Sequence, residues 1–100
     1  MSTMKASEMT GKEIADWLHI DCEEDEISEA QIEKLRDVAI AYACKYTNQT
    51  AEYVDGQSEM THAVLALVQD MVDNRALQVE DGKVNPYVQS ILDLNIKMSL

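Results

Sequence analysis

Apolar residues recur along this chain in blocks of helical spacing, each block opened or closed by residues that cap helices. Thr10-Gly11-Lys12-Glu13 fits a capping box, with Met9 and Ile14 placed as the hydrophobic staple across it. The stripe Ile14, Trp17 and Leu18 then predicts a short first helix ending near Ile20, with Trp17 in the core. The same signature returns at Ser28-Glu29-Ala30-Gln31, where Ile27 and Ile32 form the staple of a long second helix. Along it Ile32, Leu35, Ala39, Tyr42, Ala43 and Tyr46 make one stripe. Val38, Ile40, Ala41 and Cys44 widen the apolar surface beyond a single face, which implies a second partner surface.

Thr47-Asn48-Gln49-Thr50 breaks that pattern; Thr50 caps a short turn through Val54, and Asp55-Gly56 stops it. From about Ser58 to Leu77 the residues Val64, Leu67, Val68, Met71 and Val72 resume helical spacing. Ala63, Leu65 and Ala66 leave this helix little polar face at its start, so it is expected at the centre of the fold. Asp73-Asn74-Arg75 suits its end, because Asn tolerates a capping conformation and a cation is favoured at a helix C-terminus. In Val79-Glu80-Asp81-Gly82-Lys83-Val84 the Asp-Gly pair between partly alternating flanks signals a tight hairpin turn. Asn85-Pro86 reads as a cap followed by Pro at the first helical position, and Val88, Ile91, Leu92 and Ile96 form the stripe of a final helix.

These elements predict an all-α fold: a small bundle of four to five helices with a protruding hairpin-like loop before the last one. Residues 10–100 form a single domain, and residues 1–9, which show no periodicity, are expected as a flexible N-terminal arm. Composition changes this picture little. One hundred residues make one domain, and a 46% hydrophobic share drawn from Ala, Leu, Ile, Val and Met, with five aromatic residues and no Phe, favours helices over sheets.

Charge narrows the function. Nineteen acidic residues stand against eight basic ones, for a formal charge of -11, and the bases are scattered, so binding of DNA through its phosphates is disfavoured. No apolar run approaches the roughly 20 residues that span a bilayer, and Met1-Ser2-Thr3-Met4-Lys5 lacks the apolar core of a signal peptide, so the chain is expected in the cytosol. A reducing compartment leaves Cys22 and Cys44 as free thiols.

The sequence offers no pattern that assembles a catalytic or metal site. Asp21, Glu23 and Asp25 alternate like the first ligands of a calcium loop, but Glu26 stands where the turn needs Gly and Ile32 where it needs a bidentate Glu. The run Asp21–Glu26 is better read as a solvated loop whose last acids, with Glu29, favour the positive start of the second helix. His19 and His62 have no Cys or carboxylate at metal-ligand spacing, nothing local assembles a Ser or Cys nucleophile with a base, and no Gly-rich phosphate loop exists. The expectation is therefore a protein that is not an enzyme and uses no cofactor or metal.

The succession of elements resembles a known family, the head–tail connector proteins of tailed phages, also called head completion or DNA-packaging adaptor proteins. The likeness is carried by Leu18-His19-Ile20-Asp21 with the acids after it, Ala39-Ile40-Ala41-Tyr42 leading to Tyr46-Thr47, and the run His62 to Val68. Asp73-Asn74-Arg75 and the segment from Asn85-Pro86 to Ile91-Leu92 complete it, so that it covers nearly all of the chain beyond residue 10. In many members of that family an aromatic residue stands where Val72 stands here. The resemblance implies a subunit that assembles with copies of itself into a ring, a dodecamer in the virion, docked beneath the portal protein. Such a ring extends the DNA channel, helps retain packaged DNA and offers a platform to a stopper or tail-completion protein, while DNA passes without specific binding. It also implies a place in the virion neck, after assembly in the host cytoplasm. The interaction candidates on this reading are Val79, Glu80, Asp81, Gly82 and Lys83 in the loop and Val88, Ile91, Leu92 and Ile96 on the last helix. A different class of function, a monomeric acidic helical inhibitor or DNA mimic that binds a basic host protein, stays open beside it.

Overall fold

In a computed structural model that describes residues 5–73 and 86–97, the chain folds as a small all-α bundle. A 3-10 turn at Ala6–Glu8 leads into five helices: α1 (Gly11–Leu18), α2 (Glu29–Thr47), α3 (Ala51–Gly56), α4 (Ser58–Asp73) and α5 (Pro86–Leu94). The hairpin expected at Val79–Val84 and the residues 74–77 assigned to the central helix lie outside the described residues.

Local chemistry sets the helix starts where the pattern placed them. Thr10 accepts from the Glu13 N–H while the Glu13 carboxylate accepts from the Thr10 N–H, and Ser28 and Gln31 repeat this reciprocal box at the start of α2. The Thr50 hydroxyl accepts from the Tyr53 N–H and starts α3, which runs on through Gly56. Both α1 and α2 end in a left-handed residue, His19 (φ 57°) and Asn48 (φ 57°). The next amide in each case, Ile20 or Gln49, bonds back five residues to Ala15 or Cys44 at 2.8 and 3.1 Å, closing the last turn and reversing the chain.

The packing centres on α4, which α1, α2, α3 and α5 all touch, and its most extensive partner is α2. Met60, Val64 and Val68 of α4 are fully buried, as are Ile14 of α1, Ile32 and Ala43 of α2, Val54 of α3, and Val88 and Leu92 of α5. Each such Val, Leu or Ile contributes on the order of 1.5–3 kcal/mol by leaving water.

Three expectations are corrected. The arm at residues 1–9 is not free from residue 6 onward: Ala6 and Met9 are buried, Arg36 donates to the Met9 carbonyl at 2.6 Å, and Asp55 accepts from the Ser7 N–H and hydroxyl. Trp17 is not core, because only Ile14 and Ala15 of α1 face fully inward and the indole is 47% exposed. On α2, Ile40 turns into the core with Ala39 and Ala43, whereas Tyr42, assigned to the inner stripe, joins Val38 and Ala41 outside.

One position could not have been weighed without the fold. A Cβ on Gly11 would stand 2.2 Å from the Glu29 carbonyl oxygen, so α1 begins directly against the backbone of α2. The Gly11 N–H meets the Glu33 carboxylate at 2.8 Å in the same contact.

Candidate interaction surfaces

The loop candidates Val79, Glu80, Asp81, Gly82 and Lys83, with Asn74 and Arg75 of the helix-end motif, lie outside the described residues. Asp73 is exposed at the end of α4 and accepts from the Gln69 amide at 2.9 Å. The candidates on the last helix divide. Val88 and Leu92 are fully buried and Ile91 packs partly against the core, so these side chains hold α5 to the bundle instead of facing a partner. Ile96 lies past the end of the helix and is 42% exposed. The apolar surface that α5 offers is carried instead by Tyr87 and Leu94, seven positions apart on one side of the helix. The stripe Val88, Ile91, Leu92 marked the inward face, and what the pattern left unmarked was its flank.

A polar clasp fixes the C-terminal end of that helix. Asn95, 5% exposed, donates to the Ile91 carbonyl, accepts the Tyr53 hydroxyl at 2.7 Å, and offers its own carbonyl to Gln49 at 3.0 Å. Tyr46 donates to Asp93 at 2.6 Å, and the Lys97 N–H meets the Thr47 carbonyl at 2.7 Å. Buried polar groups are stabilising only when their bonds are made, and among the described residues no buried side-chain polar atom lacks one. The hydrogen bond to Asp93, with smaller effects of desolvation and of the Asp93 charge, holds the Tyr46 hydroxyl protonated above its ordinary value of 10.0.

The outer side of α2 has a distinct character. Lys34, Val38, Ala41, Tyr42 and Lys45 fall at helical spacing and are all exposed, and the stripe contains no carboxylate. Its acidic neighbour Asp37 is paired with Arg36 at 2.8 Å, the one ion pair among the described residues. Tyr42 rests against Tyr46 with ring centroids 6.0 Å apart. The outer side of α4 is the opposite: Glu59, His62, Ala66, Gln69 and Asp73 line up with acids at both ends. There Trp17 lies on His62, ring centroids 5.9 Å apart and planes at 53°.

The acidic segment after α1 is a self-closed turn. Asp21 accepts from the Glu23 and Glu24 N–H groups, Asp25 accepts from the Asp21 N–H, and Glu26 adopts a left-handed conformation (φ 52°). Among the described residues no three His, Cys, Asp or Glu side chains converge as metal ligands. Cys22 and Cys44 are both free and half-buried. Burial, and secondarily the charge of Asp55, pushes the Cys44 thiol up from 9.0, which keeps it in its unreactive form at neutral pH. Burial and then the neighbouring Asp73 raise Asp70 above 3.8. No helix among the described residues is long and apolar enough to cross a membrane. The chain matches none of the protein-family models, curated proteins or solved structures with which it was compared.

Proposed function

We propose that this chain is a structural head–tail connector subunit of a tailed phage or prophage, acting by assembly beneath a portal ring and not by turnover. The observation that carries the reading is the order of elements: a short helix, an acidic turn, a long helix, a short helix and a central apolar helix, with a last helix packed back on the bundle. That is the order through which the sequence resembles the connector family. Large apolar side chains left outside a well-filled core support it further, since Val38, Tyr42, Tyr87 and Leu94 are between 37% and 81% exposed. Such surface usually marks an interface.

On this reading the ring extends the DNA channel of the portal, helps retain packaged DNA, and seats a stopper or tail-completion protein. A formal charge of -11 suits a conduit, because carboxylates repel the phosphates of passing DNA and give them nowhere to stall.

The test is size exclusion with light scattering on the purified chain, alone and mixed with a portal ring from the same phage. Co-migration as a ring-on-ring complex is expected. A strict monomer that ignores the portal would sink the proposal and leave the acidic inhibitor, whose mark is salt-sensitive binding to a basic host protein.

A further inference from the structure

In a chain that carries 19 acids and 8 bases, the outer side of α2 is an anomaly. Lys34 and Lys45 stand eleven residues apart, about 16 Å along the helix axis, with Val38 and Tyr42 between them and no carboxylate in the stripe. Neither lysine is in an ion pair with any described residue. Val38 is 56% and Tyr42 37% exposed, so the stripe pairs apolar surface with unspent positive charge.

The outer side of α4 has the complementary design. Glu59 and Asp73 bracket a stripe of about 21 Å, and the half-exposed Trp17 lies on His62 near its beginning. The exposed charges of α1 are Lys12, Glu13 and Asp16, and Glu13 is engaged at the Thr10 cap. Each stripe lies on the side of its helix opposite the buried residues, Ala39 and Ala43 on α2 and Val64 and Val68 on α4. As α2 and α4 pack on each other, the two stripes look away from one another across that pair.

We infer that the occupant of the α2 stripe is the α4 stripe, with Trp17, of a second copy of this chain. Charge selects this pairing against the symmetric ones. Laying α2 on α2 of a second copy sets lysine against lysine in either orientation, and α4 on α4 sets acid against acid, whereas α2 on α4 joins opposite signs around aromatic anchors. A contact between two different faces of one molecule is head-to-tail, and such contacts close into rings or run on as filaments. The inference rests on the connector reading for its biological setting and names the faces by which that ring would close.

The test uses two charge-reversed forms of the full chain, K34E/K45E and E59K/D73K, followed by sedimentation velocity at about 50 mM salt, where surface charges are weakly screened. All four positions are exposed, and circular dichroism verifies that each variant keeps the helix content of the parent. The parent chain is expected to associate with rising concentration, and each variant alone to do so at least about tenfold more weakly. Mixing the variants restores association, because the acidic α4 face of the first meets the basic α2 face of the second, and the reversed pair at the next contact has opposite signs as well. A parent chain that stays monomeric, variants that associate like the parent, or a mixture that stays dissociated would each overturn the inference. Portal binding is scored separately in the same samples. A parent that binds the portal while the mixture fails to reassemble retains the connector reading without these faces, and restored association without portal binding does the reverse.

Discussion

The two ends of the described chain are fastened to the same helical centre by different means. The N-terminal segment buries Ala6, Met9 and Ile14 and is also held through its own backbone: Gly11 lies directly on the Glu29 carbonyl, Arg36 grips the Met9 carbonyl, and carboxylates of Glu33 and Asp55 receive the Gly11 and Ser7 amides. The C-terminal helix is held by side chains, with Val88 and Leu92 in the core and the clasp of Tyr46, Tyr53, Gln49 and Asn95 at its end. A contact between backbones has no slack, since neither chain can rotate away; a contact between side chains can adjust its rotamers. The first should therefore be intolerant of a single added carbon, and the second should lose its strength in instalments.

The largest effect that separates the two is expected from Gly11→Ala. The new Cβ meets a backbone oxygen at 2.2 Å, which α1 can relieve only by lifting from α2, at a cost of about 3 kcal/mol. Urea denaturation would measure it, and a change under about 0.5 kcal/mol would show that the N-terminal contact has slack after all. Asn95→Ala comes next, at about 2 kcal/mol, because it removes the partner of the Tyr53 hydroxyl and of the Ile91 carbonyl while Val88 and Leu92 continue to hold α5. Native-state hydrogen exchange should find the protection lost at the end of α5 and retained in α1.

The smallest effect is one of pH and belongs to the C-terminal clasp alone. The folded chain holds the Tyr46 proton to a higher pH than an unfolded chain does, so the stabilisation is complete below the ordinary value of 10.0 and is lost as pH rises through the higher folded value. Tyr46→Phe should lower stability slightly at pH 8 and flatten its decline in that alkaline range, as read from urea midpoints at a series of pH values. An unchanged alkaline decline would remove Tyr46 from the account.

What the sequence made legible was local. Thr10 with Glu13, Ser28 with Gln31, and Thr50 mark their helix starts, because each cap is completed within a few residues of itself, and Pro86 stands as the first residue of α5. What it hid depends on which helix covers which. Trp17 fits the apolar stripe of α1, yet the core takes Ile14 and Ala15 from that helix and the indole lies outside it, against His62 of α4. Val88 and Leu92 were marked as partner-facing because the pattern identifies an apolar face without saying whether the chain itself already occupies it. Gly11 and Asn95 carry no local signal, as their constraints come from Glu29 and from Tyr53, 18 and 42 positions away. The α2 stripe did carry a local signal, since Lys34 and Lys45 share a helix face on which the only nearby acid is Asp37, next to Arg36 in sequence.

The six residues of α3 bear on both ends at once: Asp55 holds Ser7, and Tyr53, two residues earlier, holds Asn95. Loosening either the turn at Ser7 or the end of α5 therefore strips a bond from the same short helix, and loosening α3 removes a bond from both. Cooperative opening units usually follow neighbourhood in sequence. Here α3 bonds to two segments remote from each other in sequence, so that an opening of α3 weakens both.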